Sequence, residues 1–183
     1  MALTPSTMLP LGTPAPAFSL PDTNGAILSL DQLRSEKATV VMFICNHCPY
    51  VLHIIEKLSH VASEYKKRGV QFIAINSNNV EKYPADSPEK MIEFAGQHHF
   101  SFPYLFDETQ EVARNYQAAC TPDFYVFDRD LLCVYRGRFD DATPGNKNPV
   151  NGYDLCLALD NLLQNKAIDE NQKPSMGCNI KWK

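Results

Sequence analysis

An α/β protein with a mixed central sheet is predicted for this chain by three observations. Two apolar runs rich in β-branched residues, "ATVVMFI" (Ala38 to Ile44) and "VQFIAIN" (Val70 to Asn76), have strand length. The segment between them repeats its apolar residues with helical spacing. Downstream, "CTPDFYVFDRDLLCVYRGRF" reads as two strands around an Asp128–Asp130 turn. Strand–helix–strand followed by a hairpin and a closing helix combines parallel and antiparallel pairs in one sheet.

The elements follow in chain order. Residues 1–16 form a Pro-rich lead-in. Next, "FSLPDTNGAILSLDQL" predicts two short strands around the turn residues Asn24-Gly25. The run "ATVVMFI" is of the kind buried on both faces of a sheet. From Tyr50 to Arg68, residues Val51, Ile54, Ile55, Leu58, Val61, Ala62 and Tyr65 share one face of a long amphipathic helix that Gly69 ends. Lys66, Lys67 and Arg68 suit the negative end of its dipole. The Ser77 to Ser87 loop is long for a strand–helix link and leaves the sheet edge where open α/β sheets bind ligands. Asn78 and Tyr83 are therefore candidates for shaping a substrate. A helix from Pro88 to His98, a short helix in "ETQEVARNYQ" and a last helix from Tyr153 to Gln164 follow. The polar tail, 165–183, holds Ile180 and Trp182, which are expected to dock on the body. One domain over 1–183 is the expectation from length.

Composition narrows the function. A net charge of −4 with scattered Lys and Arg argues against a nucleic-acid partner. No apolar run approaches the ~20 residues of a membrane span. The N-terminus lacks the basic start and apolar stretch of a signal peptide. The expected compartment is the cytoplasm, where thiols are kept reduced. The six cysteines are then catalytic, metal-binding or buried rather than structural disulfides.

Spacing alone leaves Cys45 and Cys48 open to three readings: a redox pair, half of a metal site, or buried thiols. Context favours the first. Cys45 falls where a buried strand gives way to a long helix, whose free N–H groups favour thiolate over thiol. Cys48, one turn on, is placed to attack a mixed disulfide at Cys45. His47 adds positive charge beside Cys45, and Pro49 suits a first helical turn. A structural zinc needs four ligands, and no second C-x-x-C is present.

The motifs "FSLPDTNG", strand–"CNHC"–helix and "CTPDFYVFD" resemble the thioredoxin-like superfamily. Together with "YPADSPEKM", "RGRFDD" and "QKPSMGCNIKWK", they are similar to a peroxiredoxin-like (AhpC/TSA-type redoxin) group carrying a C-x-x-C motif. The resemblance implies a thioredoxin-like fold with an N-terminal β-hairpin extension. It also implies a cis bond at Thr121-Pro122, whose edge pairs with a disulfide or thiol substrate. The implied activity is thiol–disulfide exchange, with Cys45 attacking and Cys48 resolving. It needs no metal or organic cofactor and takes electrons from a thioredoxin or glutathione system. A peroxidase with Cys48 peroxidatic is the alternative, and a non-catalytic metal-binding or redox-sensing pair a third.

The chain departs from the peroxiredoxin pattern P-x-x-x-T-x-x-C, with Val41 and Cys45 in place of the proline and threonine and the arginine position near the cis-proline hairpin unfilled in "ACTPDFY". The thioredoxin-type buried aspartate is missing from "TVVMFI". His47 is then the one titratable neighbour expected to act as a base. Cys120 and Cys178 are candidate additional redox thiols, Cys178 resolving if the tail folds back. Cys133 and Cys156 are expected in the core.

Overall fold

The computed structural model describes residues 3–183; the first two residues of the lead-in lie outside them. Strand β1 (Leu3–Pro5) is followed by the hairpin β2 (Ser19–Pro21) and β3 (Ile27–Ser29). Ser29 caps the short helix α1 (Leu30–Leu33) in a reciprocal capping box with Gln32. The predicted strand–helix–strand unit is β4 (Ala38–Phe43), α2 (Pro49–Lys67) and β5 (Val70–Asn76). Gly69 ends α2 at φ +88, a conformation that costs glycine little.

Helix α3 (Pro88–Gln97), β6 (Tyr104–Phe106), α4 (Glu111–Asn115), β7 (Cys120–Thr121), β8 (Asp123–Phe127), β9 (Cys133–Gly137), α5 (Tyr153–Leu163) and β10 (Met176–Asn179) complete the chain. The central sheet has the order β6-β5-β4-β8-β9. Strands β5 and β6 run parallel to β4, β8 is antiparallel to β4, and β9 is antiparallel to β8.

Every residue of β4 is buried, because the sheet is covered on both sides. Val40 and Met42 join one apolar cluster with Val51, Ile55 and Leu58 of α2 and Leu155 and Leu159 of α5. Val41 and Phe43, on the alternate face, join Leu9, Phe18, Tyr116, Tyr125 and Phe127. Each such side chain contributes roughly 1.5–3 kcal/mol by leaving water.

The tail holds more structure than its polarity predicted. Strand β10 lies between β1 and β7, pairing Cys178 with Thr121 and Asn179 with Cys120. Ile180 is buried as expected, whereas Trp182 is only partly covered and receives Arg114 over its ring at 5.1 Å. Asn78 and Gln110 hold the tail beyond β10 by accepting from Lys181 N and donating to Lys181 O, both at 2.8 Å. No helix among the described residues is long and apolar enough to cross a membrane.

Candidate active site

Strand β4 delivers Cys45 and α2 begins just after Cys48, so Cys48 rather than Cys45 occupies the helix N-cap, with Pro49 next. This corrects the expectation that the helix end acts on Cys45. Both cysteines are buried free thiols. Cys45 Sγ lies 3.3 Å from Thr121 Oγ1, and Cys48 Sγ lies 3.2 Å from Thr121 O. The Thr121-Pro122 bond is cis.

The two thiols are polarised in opposite directions. Cys48 is lowered to about 5, first by the hydrogen bond from Cys45 and, against the pull of burial, by the Cys178 thiol and the N–H groups of Val51 and Cys178. The Thr121 carbonyl accepts only from the thiol form of Cys48 and opposes ionisation, but the donors outweigh it. Cys45 is pushed well up by its hydrogen bond to Cys48, by burial and by the Asp86 carboxylate. These influences favour the proton on Cys45 over Cys48, which runs against the expectation that Cys45 is the attacking thiol.

Asp86 comes from the Ser77 to Ser87 loop and is fully buried. Asn46 N and Asn78 Nδ2 each donate to it at 2.8 Å. His47 Nδ1 sits 2.8 Å from its Oδ2, in an off-axis ion pair that leaves both ring nitrogens without a well-aligned hydrogen bond. This carboxylate raises the His47 pKa against the downward pull of burial. His47 also stacks on Tyr83, with ring centroids 5.6 Å apart. The positive charge expected beside Cys45 is therefore countered by Asp86, and the missing buried acid is supplied by the loop instead of the strand.

Donor atoms of Cys45, His47 and Asp86 lie within 4.8 Å of one another, close enough to hold a divalent cation. Such a site would use Cys45 and His47 of the motif with Asp86 of the loop, and not Cys48. Asp86 lies within the quoted motif "YPADSPEKM", but nothing in the sequence assigned it a role at the cysteines. The unusual length of that loop was the available signal.

The edge at Thr121, expected to receive substrate, is occupied by β10 of the same chain. Cys178 Sγ lies 2.8 Å from Cys48 Sγ. Cys120 is buried, with Sγ 3.9 Å from Pro122 O, and burial raises its pKa. Cys133 is buried as expected, and Cys156 is partly buried, packed against the margin of the core.

Residues 11–136 match the sequence profile described as the AhpC/TSA family. The peroxiredoxin Bcp of Escherichia coli (strain K12) is 29% identical over 108 residues, covering 59% of this chain; the chain spans 64% of that relative's length. The crystal structure of an uncharacterised conserved protein from Geobacillus kaustophilus superposes at TM-score 0.98 with 54% identity, covering 100% of this chain and 97% of that one. The thioredoxin domain of a thiol-disulfide oxidoreductase from Bacteroides vulgatus superposes at TM-score 0.63 with 15% identity, covering 82% of this chain and 99% of that domain. The fold is thioredoxin-like.

Proposed function

This chain belongs to the AhpC/TSA family, and from that premise we propose a thiol–disulfide oxidoreductase in which Cys45 and Cys48 cycle between dithiol and disulfide. Cys48 carries this reading: it caps the helix and is surrounded by donors that lower it to about 5. Its thiolate attacks one sulfur of a substrate disulfide, that S–S bond breaks, and the departing thiolate takes a proton. Cys45 then loses its proton, with Asp86 and His47 beside it as acceptors. The new Cys45 thiolate attacks Cys48 and expels the second half of the substrate as a thiol. A thioredoxin or glutathione system in the cytoplasm returns the pair to the reduced state.

Alkylation by iodoacetamide across pH tests the assignment. Cys48 is expected to react with a midpoint near pH 5 while Cys45 stays protected. A Cys45 that reacts first at neutral pH would overturn the order.

Peroxide reduction is the second reading, supported by the Cys48-Pro49 helix start and the similarity to Bcp. Stopped-flow oxidation by hydrogen peroxide separates the two. A rate far above that of a free thiol, with sulfenate first at Cys48, supports the peroxidase. A rate like that of an ordinary thiol leaves disulfide exchange.

A further inference from the structure

Strand β10 closes the site over Cys48, and the chain just beyond it bonds to Asn78 of the Asp86 loop. Its antiparallel pairing sets Cys178 across from Thr121, and Cys178 Sγ lies 2.8 Å from Cys48 Sγ. The strand is seated closely. A Cβ on Gly177 would meet Thr121 O at 2.0 Å, so this position admits only glycine at the present spacing. On its other side β10 pairs with β1, Cys178 opposite Leu3. Beyond it, Ile180 N donates to Ala119 O at 3.0 Å and is followed by the anchors at Asn78 and Gln110. Cys178 is thereby delivered to Cys48 as a cysteine in an extended substrate would be, but by the chain itself. No second strand can pair with Thr121 while β10 is there.

We infer that Cys178 is a third redox thiol that forms a disulfide with Cys48, and that the oxidants reaching Cys48 are low-molecular-mass disulfides rather than polypeptide strands. This rests on Cys48 being the attacking thiol. Cys48 thiolate attacks the substrate disulfide, RSSR′, forming Cys48–S–S–R and releasing R′S⁻, which takes the Cys178 proton. Cys178 thiolate then attacks the Cys48 sulfur and RS⁻ leaves, taking a proton from solvent. One disulfide is reduced to two thiols and one protein disulfide is formed. Burial, then the hydrogen bond and charge of Cys48, raise the Cys178 pKa. The last two causes vanish once Cys48 is in a mixed disulfide, so the first step itself prepares the second. Cys45 then draws Cys48 out of the link by exchange, leaving Cys45–Cys48 and a free Cys178.

The test treats the reduced full chain, and its Cys45→Ser variant, with stoichiometric glutathione disulfide. Samples are quenched with acid, alkylated, digested without reductant and mapped by mass spectrometry. In Cys45→Ser, a peptide carrying Cys48 linked to one carrying Cys178 is expected as the main product. Adding Cys178→Ser should convert it to Cys48 bearing glutathione, at least tenfold enriched. Persistent Cys48–glutathione in Cys45→Ser, with Cys178 still open to alkylation, overturns the inference while leaving Cys48 as attacking thiol. If Cys48 takes up no glutathione in any variant, both readings fall. Circular dichroism of each variant verifies that the fold is retained.

Discussion

Two segments close over the C-x-x-C turn, and they bring opposite chemistry. The Ser77 to Ser87 loop places a buried carboxylate against Cys45 and His47. The C-terminal strand places a thiol and an N–H against Cys48. The carboxylate keeps its neighbour protonated and the donors keep theirs ionised. Two cysteines of one motif, both buried, therefore have different chemistry because of what covers them. The largest expected effect breaks the pair directly. Cys48→Ser should lower the rate of reaction with glutathione disulfide by at least about a hundredfold, since only the thiolate is nucleophilic. Cys45→Ser should leave the first bond-breaking step within about tenfold, because the serine hydroxyl can still donate to Cys48 in place of the thiol, its largest lowering influence. Equal losses from both, followed by released thiol, would abolish the asymmetry.

Removing the strand side of the comparison is the next test. Gly177→Ala puts a methyl against Thr121 O, 2.0 Å away if nothing moves, so β10 must shift. A stability loss of roughly 1–3 kcal/mol is expected from overpacking, together with faster alkylation of Cys178. Moving the Cys178 donors also raises the midpoint pH for Cys48 alkylation. Unchanged alkylation at both thiols would show that the strand does not govern Cys48.

On the loop side, Asp86→Asn removes the charge that raises both Cys45 and His47. Cys45 alkylation should move to lower pH, and the His47 ring, followed by NMR, should titrate at lower pH than in the parent chain. Cys48 should change less, because Asp86 is not among its leading influences.

The central sheet was legible in sequence because its signals are local. The β-branched runs, the helical repeat of Val51, Ile54, Ile55 and Leu58, and the Asn24-Gly25 turn each fix their own element. Strand β6 was missed because three residues after Pro103 carry too short a pattern. Strand β10, with Gly177 and Asn179, has little strand propensity and is held by pairing on both sides. The cysteine pair was visible, but its polarity was not. That depends on Asp86, 40 residues from Asn46, and Cys178, 130 residues from Cys48. Neither belongs to a motif that includes the cysteines. The helix start was read to within a residue, Pro49 against the expected Tyr50, but that start gives the N-cap to Cys48 and not to Cys45.

The smallest expected effect is on stability across pH, where Cys48 meets a second buried acid of opposite sign. Asp123, next to the cis-proline, is raised by burial from 3.8 to about 8, although Tyr125 OH donates to it at 2.8 Å. Between those values the folded chain holds a proton that the unfolded chain has released, so Asp123 makes stability fall as pH rises. Cys48, lowered from 9.0 to about 5, does the reverse. The unfolded chain holds the extra proton in that window, so stability rises with pH and is lost as pH falls through the folded value. Between about pH 5 and 8 the two slopes, each at most about 1.4 kcal/mol per pH unit, largely cancel. Urea unfolding of the reduced chain should therefore show only a small net slope over this window, a fall with rising pH from His47, which is also raised on folding. Asp123→Asn should tilt the profile upward with pH, and Cys48→Ser should tilt it downward. Parallel profiles for all three chains would mean that neither group changes its protonation on folding, and the cysteine polarity drawn from the structure would fail with them.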